Sequence, residues 1–184
     1  MPALEVLTYG HPYLRKRARE ISVPDKELTK LAADMIETMI LHEGVGLAAP
    51  QVGFEGQLIV IDAGRLEGKL ASNPMVLINP RILSAEGQSV YREGCLSIPG
   101  VYADVKRPES ITVKYLDLNG QMFQTRHSGV EARIIQHEMD HLNGILFIDR
   151  LNPVTRWLMN GKLNRLKKST EEIPSNAKVQ SITA

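Results

Sequence analysis

Residues 137–141 read His137-Glu138-Met139-Asp140-His141, and no other run constrains the chain so tightly. On a helix of about 3.6 residues per turn, positions four apart lie one above the other on the same face. Two imidazoles can therefore close on one metal ion. The glutamate between them points roughly 100° away, free to meet a water as proton acceptor. At the His and Glu content of this chain, such a run arises by chance only about 0.01 times. The competing interpretation is an amphipathic helix whose histidines face solvent.

That helix needs a core around it, and 184 residues suffice for one domain. A 43% apolar and 23% charged composition is that of a globular chain. A formal charge of +1 gives no argument for DNA binding. Charge is nevertheless uneven: after residue 150, Arg156, Lys162, Arg165, Lys167, Lys168 and Lys178 outnumber Glu171 and Glu172. A basic C-terminal stretch on a mildly acidic body is compatible with an anionic partner, and equally with a solvated helix face. No apolar run approaches the ~18 residues needed to span a bilayer, and no targeting segment precedes the body, so a cytoplasmic location is expected. The single cysteine, Cys95, excludes an internal disulfide.

Periodicity divides the chain into an α+β pattern. Ser22-Val23-Pro24-Asp25 is a helix start, and Leu28, Leu31, Ala32, Met35, Ile36, Met39 and Ile40 recur at the spacing of one buried stripe, ended by Gly44. Gly44–Gly53 is too irregular for a helix. Gln57–Asp62 and Met75–Pro80 are strand-like, the second expected to stop at its proline, with a loop over 63–74. Short strands follow near 88–92, 103–107 and 110–117, with a hairpin turn at Leu118-Asn119-Gly120 and a return over 121–127. The histidine helix spans about Val130–Asn143, and a basic helix runs from about Pro153 to Lys168. The expected fold is short, mostly antiparallel strands packed around a central metal-binding helix, flanked by N-terminal and C-terminal helices. Residues 1–168 form one catalytic domain in this reading, and 169–184 a polar, fraying tail.

A catalytic metal centre usually takes three protein ligands and keeps a position for water. In one helix-borne protease class the third ligand would fall at residue 147, but Phe147 cannot bind metal. Glu171 and Glu172 lie some thirty residues on, in the tail. Cys95 is the better candidate, because glycine precedes it and Pro99-Gly100 follow, in a short constrained segment. A thiolate with two neutral imidazoles is a sound ligand set for a divalent first-row metal. His11, His42 and His127 have no comparable partners and are expected at the surface.

Three segments, Gly44–Gly53, Glu93–Gly100 and Gln136–His141, resemble the three signature motifs of the peptide deformylase family, in the family's order. The similarity covers about residues 4–168, including Ile78-Asn79-Pro80 and Leu146-Phe147-Ile148-Asp149. The resemblance implies an enzyme that removes the formyl group from N-terminal formyl-methionine of nascent polypeptides and releases formate. By motif position, Cys95, His137 and His141 would hold one divalent metal ion, and Glu138 would be the general acid and base. Gln51 and the Leu96 N–H would stabilise the oxyanion, each such donor contributing about 2.7–4 kcal/mol in comparable sites. Ferrous iron is the native metal implied, with zinc, nickel or cobalt able to occupy the site.

The side chains missing at Gly44 and Gly46 would let a substrate backbone lie close and pair as an added strand. Val45 is the first candidate for the wall of a methionine pocket, with Val130, Arg133 and Ile134 behind it; Glu43 and Gly94 complete the expected peptide-binding set. Tyr102 stands where some relatives carry an arginine that helps hold the peptide, which bears on affinity rather than on the reaction. A basic C-terminal helix docks some relatives on the ribosome, and the +4 tail suits that role. Two other functions compete: a metalloendopeptidase, and a non-catalytic ribosome- or peptide-binding module stapled by its metal.

Overall fold

The computed structural model describes residues 3–67 and 73–172. Helix α1 (Lys26–Leu41) begins where Asp25 caps it, its carboxylate accepting from the Leu28 N–H at 2.7 Å. Seven strands follow: β1 (Gly46–Ala48), β2 (Leu58–Ile61), β3 (Met75–Glu86), β4 (Ser89–Cys95), β5 (Ile98–Arg107), β6 (Ser110–Leu116) and β7 (Met122–Ser128). Helices α2 (Gly129–Leu142) and α3 (Pro153–Glu172) complete the order. One antiparallel sheet has the order β1-β2-β3-β6-β7, while β4 and β5 form a separate hairpin.

The apolar run of β2 is explained by burial on both faces. Ile59 and Ile61 join Ile134, Ile135 and Leu142 of α2 in one cluster. Leu58 and Val60 join Leu28, Met35 and Met39 of α1 in another. The β4-β5 hairpin stands apart from this sheet. Along β5, Val101, Ala103 and Val105 alternate inward, against Leu146, Phe147 and Ile148 after α2 and Leu163 of α3. Helix α2 is therefore held by the sheet along one stripe and faces the hairpin with its polar residues, the side that carries the histidines.

The strand expected to stop at Pro80 instead continues to Glu86. Its pairing with β6 shifts register between Ile78 and Arg81, and Asn79 adopts φ 51° at that bulge. A proline lacks the ladder N–H, and a bulge is where a strand tolerates that loss. Asn79 fastens the bulge, accepting from the Ile21 N–H at 2.9 Å and donating to the Ile21 carbonyl at 2.8 Å. In the segment expected to be a loop, Ala63–Glu67 forms a 3-10 turn, and residues 68–72 lie outside the described residues.

His127, expected at the surface, is buried. It lies on the inward face of β7, bonded to Thr125 at 2.6 Å and to Glu131 at 3.0 Å. Helix α3 passes Lys168 and reaches Glu172, with Thr170 donating to the Tyr9 carbonyl at 3.0 Å. Residues 173–184 of the expected tail lie outside the described residues. Among those described, no helix is long and apolar enough to cross a membrane.

Because Asn79 makes both bonds from a left-handed backbone, Asn79→Ala should destabilise the fold by about 1–3 kcal/mol in denaturant unfolding. An unchanged unfolding midpoint would show that the bulge needs no such fastening.

Candidate active site

Helix α2 presents His137 and His141 one turn apart, and the β4-β5 hairpin brings Cys95 to them. Cys95 closes β4 at the two-residue turn Leu96-Ser97, paired with Ile98, so the backbone that fixes it is a ladder end. The ligand atoms of Cys95, His137 and His141 all lie within 4.8 Å of one another. The Cys95 Sγ to His141 Nε2 separation is 3.2 Å. Ligand bonds of about 2.1 Å to nitrogen and 2.3 Å to sulfur, meeting at 90–109°, place the two atoms about 3.1–3.6 Å apart. The donor set fits one divalent ion.

Burial disfavours a charged His137, but the Cys95 sulfur and Glu93 outweigh it and raise its pKa well above the ordinary value. Burial lowers the pKa of His141 well below the ordinary value, leaving a neutral imidazole able to ligate. His137 Nδ1 is bonded to Glu93 Oε2 at 2.8 Å, which sets the ring's orientation. For Glu93 itself, burial acts to raise the pKa, yet the bonds from Arg107 and His137 hold it well below the usual carboxylate range.

Glu138 is buried, and its Oε2 has no hydrogen-bond partner among the described residues. Burial pushes its pKa up to about 7. It lines a cleft of about 640 Å³, a volume suited to a small ligand or peptide end. Gln51 is buried in that cleft rather than lying in a surface turn. Its carbonyl accepts from the Ala48 N–H at 2.8 Å, so its amide nitrogen faces Ser97 Oγ at 3.1 Å and Cys95 Sγ at 3.6 Å.

Glu43, Gly44, Val45, Gly46, Gly94 and Leu96 all line the cleft. The glycines, however, accommodate the protein's own side chains. A Cβ on Gly46 would lie 2.4 Å from Glu138 Oε1 and 2.8 Å from Ile134 Cγ2. One on Gly94 would lie 2.6 Å from the Tyr102 ring, and one on Gly44 would lie 2.9 Å from Leu96 Cδ1. Glu43 carries a left-handed backbone (φ 55°) where α1 ends, the position at which Gly44 was expected to stop the helix.

Val45, Val130 and Ile134 line the cleft, as does Arg133. The Arg133 guanidinium is committed to Glu93 at 2.9 Å, the Val105 carbonyl at 3.0 Å and Ser89, so it is no apolar wall. Phe147 packs beside the His137 ring, centroids 6.1 Å apart, in the core. Arg107, Asp140 and Ser97 were not singled out in advance, because long-range polar partners leave no periodic signal.

A cysteine sulfur, two imidazoles and an adjacent buried carboxylate in a cleft match the class of helix-borne hydrolytic metal centres. A family model described as polypeptide deformylase matches residues 3–157. A peptide deformylase of Synechococcus sp. (strain CC9605) is 50% identical over 151 residues, 82% of this chain and 74% of that relative. One of Chlorobium phaeobacteroides (strain BS1) is 43% identical over 173 residues, 94% and 92% of the two chains. The crystal structure of a peptide deformylase from Legionella pneumophila superposes with a TM-score of 0.82 at 40% identity, covering 94% of this chain and 100% of that one. The chain belongs to the polypeptide deformylase family.

Gly46→Ala should displace the Glu138 carboxylate and lower turnover about 100-fold while the far-ultraviolet circular dichroism stays unchanged. Full activity in that variant would mean that the contact yields without consequence.

Proposed function

We propose that this chain hydrolyses the formamide of N-terminal formyl-methionine on newly made polypeptides, releasing formate. The observation that carries this reading is Glu138, a buried carboxylate with one oxygen unpartnered among the described residues, next to a thiolate-imidazole cluster in an open cleft. Cys95, His137 and His141 would hold a divalent metal ion, which when bound supplies Lewis-acid chemistry and lowers the pKa of water at the site. Ferrous iron is our assignment from the resemblance to the family, since the ligand set itself accepts iron, zinc, nickel or cobalt alike.

The remaining steps belong to the protein. Glu138 takes a proton from the attacking water and returns it to the departing amine, and its unpartnered oxygen is free for both transfers. Charge developing on the formyl oxygen meets the Gln51 amide and the Leu96 N–H. The peptide backbone pairs along Gly44–Gly46 and Gly94 as an added strand, with Glu43 at the mouth. Val45, Val130 and Ile134 receive the methionine side chain.

A cytoplasmic enzyme acting on nascent chains works at the ribosome, and α3 supports docking there. Trp157, Gly161, Lys162, Arg165 and Lys168 are all exposed on it, apolar toward its start and basic toward its end. The metalloendopeptidase reading loses its third ligand, because Phe147 occupies that place in the core. The metal-stapled module leaves the buried Glu138 without a task.

Glu138→Ala should keep metal and fold yet lower formate release from formyl-methionyl peptides about 10²–10⁴-fold. Cleavage of unformylated internal-sequence peptides without formate release would replace this function with an endopeptidase. Elemental analysis after anaerobic purification reads the native metal; zinc alone, in fully active protein, would overturn the iron assignment. Reversing charge at Lys162 and Arg165 should weaken co-sedimentation with ribosomes while leaving formate release from free peptides intact.

A further inference from the structure

We propose that Arg150, which lies outside every motif, is a positioning residue for His137, acting through Asp140, Arg107 and Glu93. The inference rests on Cys95, His137 and His141 forming the metal site. A continuous line of ion pairs runs from the surface to that site, and every member beyond Arg150 is enclosed. The Arg150 side chain is 41% exposed, Asp140 8%, Glu93 5% and Arg107 2%.

Arg150 donates from Nε and Nη2 to the two oxygens of Asp140. Asp140 Oδ2 also accepts from Arg107 Nη1 at 2.6 Å. Arg107 turns its other two donors onto Glu93, Nε to Oε1 at 2.7 Å and Nη2 to Oε2 at 2.9 Å. Glu93 Oε2 is the atom that meets His137 Nδ1. A guanidinium is a rigid planar fork, so Arg107 cannot move on Asp140 without moving on Glu93.

Removing Arg150 leaves Asp140 Oδ1 with no partner among the described residues, inside the protein. The carboxylate must then turn towards another donor or shift towards water. Either change alters the hold on Arg107, and with it the Glu93 oxygen that aligns the imidazole. Partners behind a ligating histidine tune metal affinity in this way. Arg150 is not needed to hold its own turn, which is fixed independently. Asp149 pairs with Arg15 and Arg156 and accepts from the Leu146 N–H at 2.9 Å, while Phe147 and Ile148 are buried.

The test uses the full-length protein with cobalt(II) alone as probe, reading affinity by chelator competition and ligand geometry by visible absorption. Arg150→Ala should bind cobalt about 10–100-fold more weakly with an altered spectrum, and Arg150→Lys should recover part of both. Asp149→Asn should lower the melting temperature and bind cobalt like the unsubstituted protein. Unchanged cobalt affinity and spectrum in Arg150→Ala would overturn the proposal, as would an equal loss in Asp149→Asn. Should Arg150→Ala fail to fold, Arg150→Gln and Arg150→Lys decide by the same readouts. If the unsubstituted protein binds no cobalt, the metal-site reading itself fails and the relay falls with it.

Discussion

Glu93 is a carboxylate taken almost wholly out of water, and such a charge is tolerated only when its partners replace the lost hydration. Its oxygens are met by Arg107 from β5, by Arg133 from α2, and by His137 one turn further along that helix. The hairpin and the helix are thus joined by a polar knot rather than by apolar packing alone. Removing one partner from such a buried cluster typically destabilises by about 3–5 kcal/mol, because the remaining charge stays enclosed. Cys95 follows Glu93 by two residues, so the same knot fixes the distance between the sulfur and the imidazoles.

The division of labour between the two sheets follows from this. The five-stranded sheet supplies bulk: β2 is covered on both faces, which immobilises α2 along Ile134, Ile135 and Leu142. The hairpin supplies chemistry, since it carries the sulfur and half of the cleft wall. Neither alone brings three donors together. The cluster of residues 95, 137 and 141 is therefore assembled only after long-range packing is complete, and a metal held there would report on the whole fold.

Much of this was legible in the sequence, for reasons that separate local from distant effects. The stripe from Leu28 to Met39 and the apolar run of β2 each record burial within a few residues, whereas the strand expected over 103–107 reaches back to Ile98. The His-Glu-x-x-His spacing records a helix geometry. Pro80 misled because a proline signals an end unless a neighbour absorbs it, and the left-handed Asn79 bonded to Ile21 does so from 58 positions away. His127 misled because isolated histidines were assigned to solvent, although its alternation with Phe123 and Thr125 on β7 marked the inner face. The ion pairs of Arg107 and Asp140 carry no periodicity at all, and only the folded chain reveals them. The gap between β3 and β6 registers belongs to the same category.

The glycines at 44, 46 and 94 have one more implication. Each sits under a side chain from elsewhere, Leu96, Glu138 with Ile134, and Tyr102 respectively. The contour of the cleft wall is consequently written by residues the glycines merely accommodate. Exchanging an overlying group such as Tyr102 would reshape that wall while the backbone at Gly94 stays as it is.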